Sequence, residues 1–334
     1  MQYKTKKQSL FLKLFPVPNF LSLDPVGIDI SLRSVRAMRL KHSKYGLIPD
    51  KYKEVVLKEK CELLEKQEDL EHCDELRSSL RELKKELNLK YITLSLPELK
   101  TYIFNTTLPF EASESIDDAL IVKLQENIPL DLNDIVYDYV VSKINKNKST
   151  MEVVVTVLPK NIIEIYTNLF KEEGLIPVAF ESESQSVARA VVAENDKTPY
   201  LIVNFGHAKI SFAIVEQEVV QYTSSLPYST ETILKDFSCQ EAQTLKSTLN
   251  KLLIYWFTNK HNPDSEEKIT NVIMTGSFAD APGLAIFLEQ HLHVSVGIAN
   301  VWKNCFDINE YVPEMDLKTA LQYNTAIGLA LMKQ

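Results

Sequence analysis

Two short stretches carry residue types suited to holding an anion. Val26 to Leu40, VGIDISLRSVRAMRL, places Asp29 just before a polar turn and Arg36 on the return run. Leu201 to Val215, LIVNFGHAKISFAIV, repeats the plan. Asn204 stands where Asp29 stood, Gly206 opens the turn, and His207 and Lys209 follow. Backbone N–H groups in such turns can wrap an anion, as nests cradle phosphate. Lys209 adds a positive charge that attracts one. The competing reading is two surface hairpins, with His207 a solvent-facing turn residue.

The elements around these turns follow from pattern. Val26, Ile28 and Ile30 alternate with Gly27, Asp29 and Ser31, as in a half-buried strand. Two strand–turn–strand units with polar turns predict a duplicated α/β core. Tyr52 to Leu57 reads as a further strand. Leu70, Cys73, Leu76, Leu80, Leu83 and Leu87 recur at helical spacing in a charged segment, Lys58 to Asn88. Its expected role is an amphipathic helix packed on a sheet, with a partner-helix surface as the alternative. Strands are expected at Tyr91 to Leu96, Thr101 to Leu108, Ile135 to Val141 and Met151 to Leu158. Ser115 with Asp118 predicts a capping box before a helix that stops at Ile128, ahead of Pro129. Helix Ile162 to Glu173 closes on Gly174. Later segments read as strand Ile176 to Phe180, helix Glu181 to Asn195, helical Glu231 to Lys260, and strand–turn–helix Asn271 to Leu288. Strand Val294 to Ile298 and a last helix, Tyr323 to Met332, complete the pattern.

Composition sets bounds. A chain of 334 residues, 45% hydrophobic, suggests about two domains with a sizeable core. Its net charge of −8 argues against nucleic acid as a partner. Cys61, Cys73, Cys239 and Cys305 form no CxxC pair, which points to reduced thiols rather than zinc or disulfides. No apolar run has the length of a membrane span, and Lys13, Pro16 and Pro18 interrupt the first apolar run. The segment Met1 to Asp24 is basic and apolar. It could touch an anionic membrane surface or dock on the protein itself.

The run GIDIS…SVRA resembles the first phosphate loop of the actin-like ATPase family, in particular its pilus-assembly branch, PilM, a relative of FtsA. Asp29, Ser34, Val35 and a cation at Arg36 match, and Ser31 replaces the first loop glycine. The resemblance runs from about Phe11 to Leu331. ESESQSVARA is similar to the segment that points a carboxylate at the attacking water, with Glu183 in the matching position. A carboxylate there also favours a helix N-terminus through its dipole. VNFGHAKIS stands where active members have an Asp and a Gly-rich turn. Asn204 has no charge to hold hydrated Mg²⁺ and cannot act as a base. Gln243 takes a Glu position and Lys246 keeps the Lys of the motif that touches the adenosine sugar and base. MTGSFADAPGL is similar to the adenosine motif through Gly276, Pro282, Gly283 and Leu284. Ser277 replaces its second glycine.

The resemblance implies an actin-like, duplicated ribonuclease H-like α/β fold. The expected parts are an arm at 1–24 and lobe 1 at 25–198 with an inserted α+β subdomain at about 58–165. Lobe 2 is expected at 199–320 with a reduced outer subdomain at about 231–268, and a C-terminal helix at 321–334 returning to lobe 1. It further implies a cytoplasmic scaffold of type IV pilus assembly at the inner face of the inner membrane. Such a scaffold docks the N-terminal tail of a PilN-like membrane protein, for which Ile103, Phe104 and Ile135 are the candidate groove residues. Its nucleotide residues would be Asp29, Ser31, Ser34, Arg36, Asn204, Gly206, Lys209, Gln243, Lys246, Gly276 and Ser277. Because Asn204, Gln243, Ser31 and Ser277 depart from the pattern, the cofactor reading is ATP with Mg²⁺ held weakly, or none. The alternatives are an active Mg-ATP-binding ATPase with a conformational cycle, which keeps Glu183 as its catalytic carboxylate, and an FtsA-like division adaptor. Self-association stays open.

Overall fold

The computed structural model describes residues 23, 25–61, 64–96, 98–145, 147–259 and 268–332; the basic N-terminal arm therefore lies outside the described residues. The chain divides into two compact units, one ending at Glu183 and joined by Met332, the other Ser184–Leu331.

In the first unit the alternating run forms β1 (Val26–Ile30), antiparallel to β2 (Ser34–Ser43), which pairs with β3 (Gly46–Val56). The charged segment forms α1 (Asp74–Leu87), whose Leu76, Leu80, Leu83 and Leu87 pack into one core with Ile28, Val35 and Ile92. β4 (Tyr91–Leu96) lies parallel to β1. The chain then leaves this sheet. β5 (Tyr102–Pro109), α2 (Ile116–Asn127), β6 (Ile135–Asn145) and β7 (Thr150–Pro159) build a three-stranded antiparallel sheet, order β5-β7-β6, with a helix on one face. α3 (Lys160–Glu172) and β8 (Ile176–Ser182) return, and the sheet closes in the order β3-β2-β1-β4-β8.

Two expectations change here. The inserted subdomain covers 102–159 rather than about 58–165. α1, β4 and α3 belong to the main core because their leucines, with Tyr166 and Phe170, fill it. The capping box is also incomplete. The Ser115 hydroxyl turns to the Asp118 carboxylate and caps no backbone N–H. α2 does stop at Asn127, with Ile128 extended before Pro129.

The second unit opens with α4 (Glu183–Val191), whose first residue closes the first unit. β9 (Tyr200–Phe205), β10 (Ile210–Glu216) and β11 (Val219–Leu226) form a meander. α5 (Thr230–Lys235) and α6 (Gln240–Asn259) follow, and residues 260–267 lie outside the described residues. β12 (Asn271–Thr275), α7 (Leu284–Leu292) and β13 (Ser295–Ile298) complete the order β11-β10-β9-β12-β13. This repeats the plan of the first sheet: three antiparallel strands, then two parallel ones.

α8 (Leu317–Gln322) and α9 (Asn324–Ala330) end the described chain apart from its last residues. The unit boundary falls one helix before the expected 198/199, and the last helix clusters with 184–331. The cause is local bonding. Gln185 Nε2 donates to Glu218 O (2.8 Å), Val220 N donates to Gln185 Oε1 (3.0 Å), and Arg189 Nη1 donates to Gly328 O (3.1 Å). A Cβ on Gly328 would overlap the Ser186 backbone, so only glycine lets α9 lie this close to α4.

Candidate functional site

In the first unit the structure brings Asp29, Ser31, Ser34 and Arg36 together. β1 and β2 place Asp29 opposite Arg36 in register. The Asp29 carboxylate is nearly buried at 8% exposure and accepts from Ser95 Oγ at 2.9 Å. Arg36 stands 4.0 Å from it, but its closer partner is Glu54 at 2.7 Å. The connecting turn satisfies itself. Ser31 N donates to Ser34 O (2.9 Å), and Ser34 N donates to Ser31 Oγ (3.2 Å). Leu57 N and Cys61 N bond the Arg33 and Leu32 carbonyls and hold the turn from behind. Where a loop glycine would leave amides open to a phosphate, the Ser31 hydroxyl takes one of them.

In the second unit Asn204 lies one residue before the end of β9, in register with Ser211 on β10 and Thr275 on β12. Asn324 Nδ2 donates to Thr275 Oγ1 at 2.9 Å and points to Asn204 Oδ1 at 3.5 Å. Thr325 N donates in turn to Asn324 Oδ1 at 2.6 Å. This buried amide–hydroxyl network was not visible in the sequence, because Asn324 lies in an apolar terminal helix with no motif. Gly276 has φ +93°, and a Cβ there would strike Asn204 Oδ1 and come within 2.7 Å of Phe205 O. Gly276 thus lets the strand end sit against Asn204. Ser277 follows it, and Phe278 N donates to Phe205 O at 3.3 Å.

The turn at Gly206 to Lys209 is closed from within. Gly206 N donates to Lys209 O (3.1 Å), and the Gly206 carbonyl accepts from Thr230 Oγ1 (2.9 Å). His207 is half-exposed, but it packs edge-on against Phe278 at 4.6 Å and its Nδ1 meets the Glu231 carboxylate at 3.1 Å. A carboxylate therefore stands beside the turn that was expected to receive phosphate.

Lys246 is engaged as well. Its Nζ lies 5.0 Å over the Phe287 ring. His291 Nδ1–H donates to Phe287 O (2.6 Å), which leaves Nε2 to accept from Lys246 (3.2 Å). Phe287 stacks on Phe237 at 4.7 Å. Gln243 is exposed on α6, and Glu183 is half-buried at the start of α4. The donor sets fit Mg–ATP poorly. In the second unit a neutral amide, Asn204, stands where the resemblance leads one to expect a metal-holding carboxylate, and in the first the Asp29 carboxylate already has Ser95 and Arg36. Among the described residues no group of three His, Cys, Asp or Glu could hold a metal ion.

The three tail-groove candidates separate. Ile135 is 8% exposed in the subdomain core, and Phe104 packs against the same core. Ile103 lies on the opposite face, in register with Thr156 and, through β7, Asp138. β5 and β6 are the edges of this sheet. Among the described residues no helix is long and apolar enough to cross a membrane.

A family model described as type IV pilus assembly protein PilM matches residues 27–228 and 216–334. The solved structure of a PilM–PilN type IV pilus biogenesis complex is similar over 92% of this chain and 98% of that chain, with 16% identity and a TM-score of 0.71. The ethanolamine utilization protein EutJ from Carboxydothermus hydrogenoformans shares 14% identity over 95% of this chain and 91% of its own, with a TM-score of 0.48. MreB5 of Spiroplasma citri bound to ADP shares 10% over 91% and 94%, with a TM-score of 0.45. A comparison with curated proteins finds no match. The first likeness shows the fold, the actin-like α/β architecture that the resemblance implied.

Proposed function

The chain belongs to the PilM family of type IV pilus assembly proteins, and from that premise we propose that it is a scaffold that docks a peptide tail and does not turn over ATP. One observation carries this reading. The polar groups at the nucleotide positions are spent inside the protein: Ser31 on Ser34, Asp29 on Ser95, and Lys246 on His291. ATP with Mg²⁺ would have to displace these bonds at Asp29, Ser31, Ser34, Arg36, Gly206, Lys209 and Lys246, and would gain only a neutral partner at Asn204 and Gln243. Glu183 is assigned to helix α4 as an N-terminal carboxylate rather than to catalysis.

The partner is the extended N-terminal tail of a PilN-like inner-membrane pilus protein, and the scaffold works on the cytoplasmic side of that membrane. The structural relative is itself a complex with PilN. Here the subdomain 102–159 supplies what such a tail needs. Its strand edges offer main-chain hydrogen bonds, and its face turned from α2 offers the half-buried Ile103 as an apolar contact. Ordering the tail costs free energy, so an affinity around micromolar is expected.

Calorimetric titration with Mg-ATP and with a synthetic tail peptide tests both halves. The expected result is tail binding and no resolved heat from Mg-ATP. Saturable Mg-ATP binding with hydrolysis that Glu183→Gln abolishes would instead establish the active-ATPase reading.

A further inference from the structure

Helix α2 is apolar on two sides. Leu120 and Leu124 are buried in the subdomain core. On the other side Asp118, Ile121, Val122 and Gln125 share a face at i, i+3, i+4 and i+7. There Ile121 is 42% and Val122 55% exposed, and Phe110, 46% exposed, begins the turn leading into the helix. Asp118 shares this face, and Asp117 and Glu126 flank it at helical spacing. From Phe110 to Asp134 the sequence has seven carboxylates against the single Lys123, which is itself paired with Glu126 at 2.7 Å. An acidic rim around apolar side chains repels anionic lipid and nucleic acid. It fits a segment that is both cationic and apolar.

Such a segment is part of the same chain. Residues 1–22 carry Lys4, Lys6, Lys7 and Lys13 around Leu10, Phe11, Leu12, Leu14 and Phe15, with no carboxylate. They lead into β1, which lies in the same unit as α2. Extended, 22 residues reach about 70 Å, against a radius of gyration of about 16 Å for a unit of this length. Reach is therefore no obstacle, and charge decides the destination. We propose that the N-terminal arm docks in cis on the outer face of α2, its leucine and phenylalanine side chains covering Ile121 and Val122 and its lysines meeting Asp117 and Asp118.

The full-length chain carrying the photo-crosslinker p-benzoylphenylalanine in place of Phe11 tests this. Isotopically light and heavy chains are mixed, vesicles containing phosphatidylglycerol are included in a parallel reaction, and adducts are mapped by mass spectrometry. The expected adducts join position 11 to residues 110–126 within one isotope class. Their yield should fall about tenfold when Ile121→Lys and Val122→Lys turn attraction into like-charge repulsion. Circular dichroism checks that this surface variant keeps its fold. Adducts between isotope classes would assign the surface to a second copy. Adducts to lipid alone would assign the arm to the membrane. Either result, adducts elsewhere on the chain, or no adduct would overturn the proposal.

Discussion

At the scale of single residues, the departures from the actin-like pattern do more than remove groups. The replacements at Ser31 and Asn204 are tied into their surroundings. Asn204 accepts within a network with Asn324 and Thr275, so Asn204→Asp can be made without losing an acceptor. This variant should bind Mg-ATP more tightly if the missing charge is what limits binding. An unchanged titration would place the block in the self-bonded turns. Gly276 tolerates no such exchange. Its φ of +93° and the Phe205 oxygen 2.7 Å from a would-be Cβ predict that Gly276→Ala costs about 3 kcal/mol or more in urea unfolding. The thiols give an independent check on packing. Burial pushes Cys61 up to about 11 and Cys305 up to about 12, so native protein near pH 8 should leave both unmodified by a thiol reagent while denatured protein reacts at all four cysteines. The residue types at Asp29, Asn204 and Gly276 were legible in the sequence. The residues around them, Ser95, Thr275 and Asn324, were not, because hydrogen bonds across 49 to 120 residues leave no local pattern.

At the scale of elements, periodicity identifies a helix but not the sheet it packs on. The leucine spacing of α1 announced an amphipathic helix, yet that spacing is the same for a helix on an inserted module and one on the main sheet. Besides the leucines that fill the main core, a clamp at the end of α3 holds α1 there. Glu173 is buried and accepts from Arg81 Nε at 2.6 Å and from Arg77 Nη1 at 3.0 Å. Lys84 Nζ adds a bond to the Glu173 carbonyl at 3.0 Å. Burial works against the Glu173 charge, but the two arginines outweigh it and hold the carboxyl below its ordinary range. A carboxyl lowered in this way stabilises the fold fully above its unfolded value of about 4.3, and that contribution is lost as pH falls through the lower folded value. Glu173→Gln should therefore cost about 2 kcal/mol at pH 7, and the gap between variant and wild type in denaturant midpoints should close as the pH drops below 4. A gap that persists in acid would mean packing, not charge, is what the position supplies. In the subdomain, Ile135→Asp should unfold its core, at a cost of about 3–5 kcal/mol. Ile103→Asp, on the other face, should leave unfolding nearly unchanged and weaken the tail peptide by about tenfold or more.

At the scale of the whole molecule, the chain is one plan used twice with a module grafted into the first copy. Both five-stranded sheets run three antiparallel strands and then two parallel ones, and both put a polar residue, Asp29 or Asn204, one position before the end of the first strand. The graft enters after β4 and leaves before α3. Tyr102 and Val157 lie directly opposite each other in the β5–β7 ladder, so the entry and exit points are about 5 Å apart. Excising Tyr102 to Val157 and joining Thr101 to Leu158 through a short Gly-Ser linker thus closes a small gap. It also keeps Leu158, which packs against the main core. A wider cut from Tyr91 would remove β4 from between β1 and β8 and destroy the sheet. The narrow excision should leave a chain that unfolds cooperatively, with far-UV circular dichroism reduced in proportion to the lost strands and helix, while binding of the tail peptide disappears. Retained binding in that folded chain would move the tail site off the module. A chain that no longer unfolds cooperatively would mean the graft stabilises the sheet it interrupts.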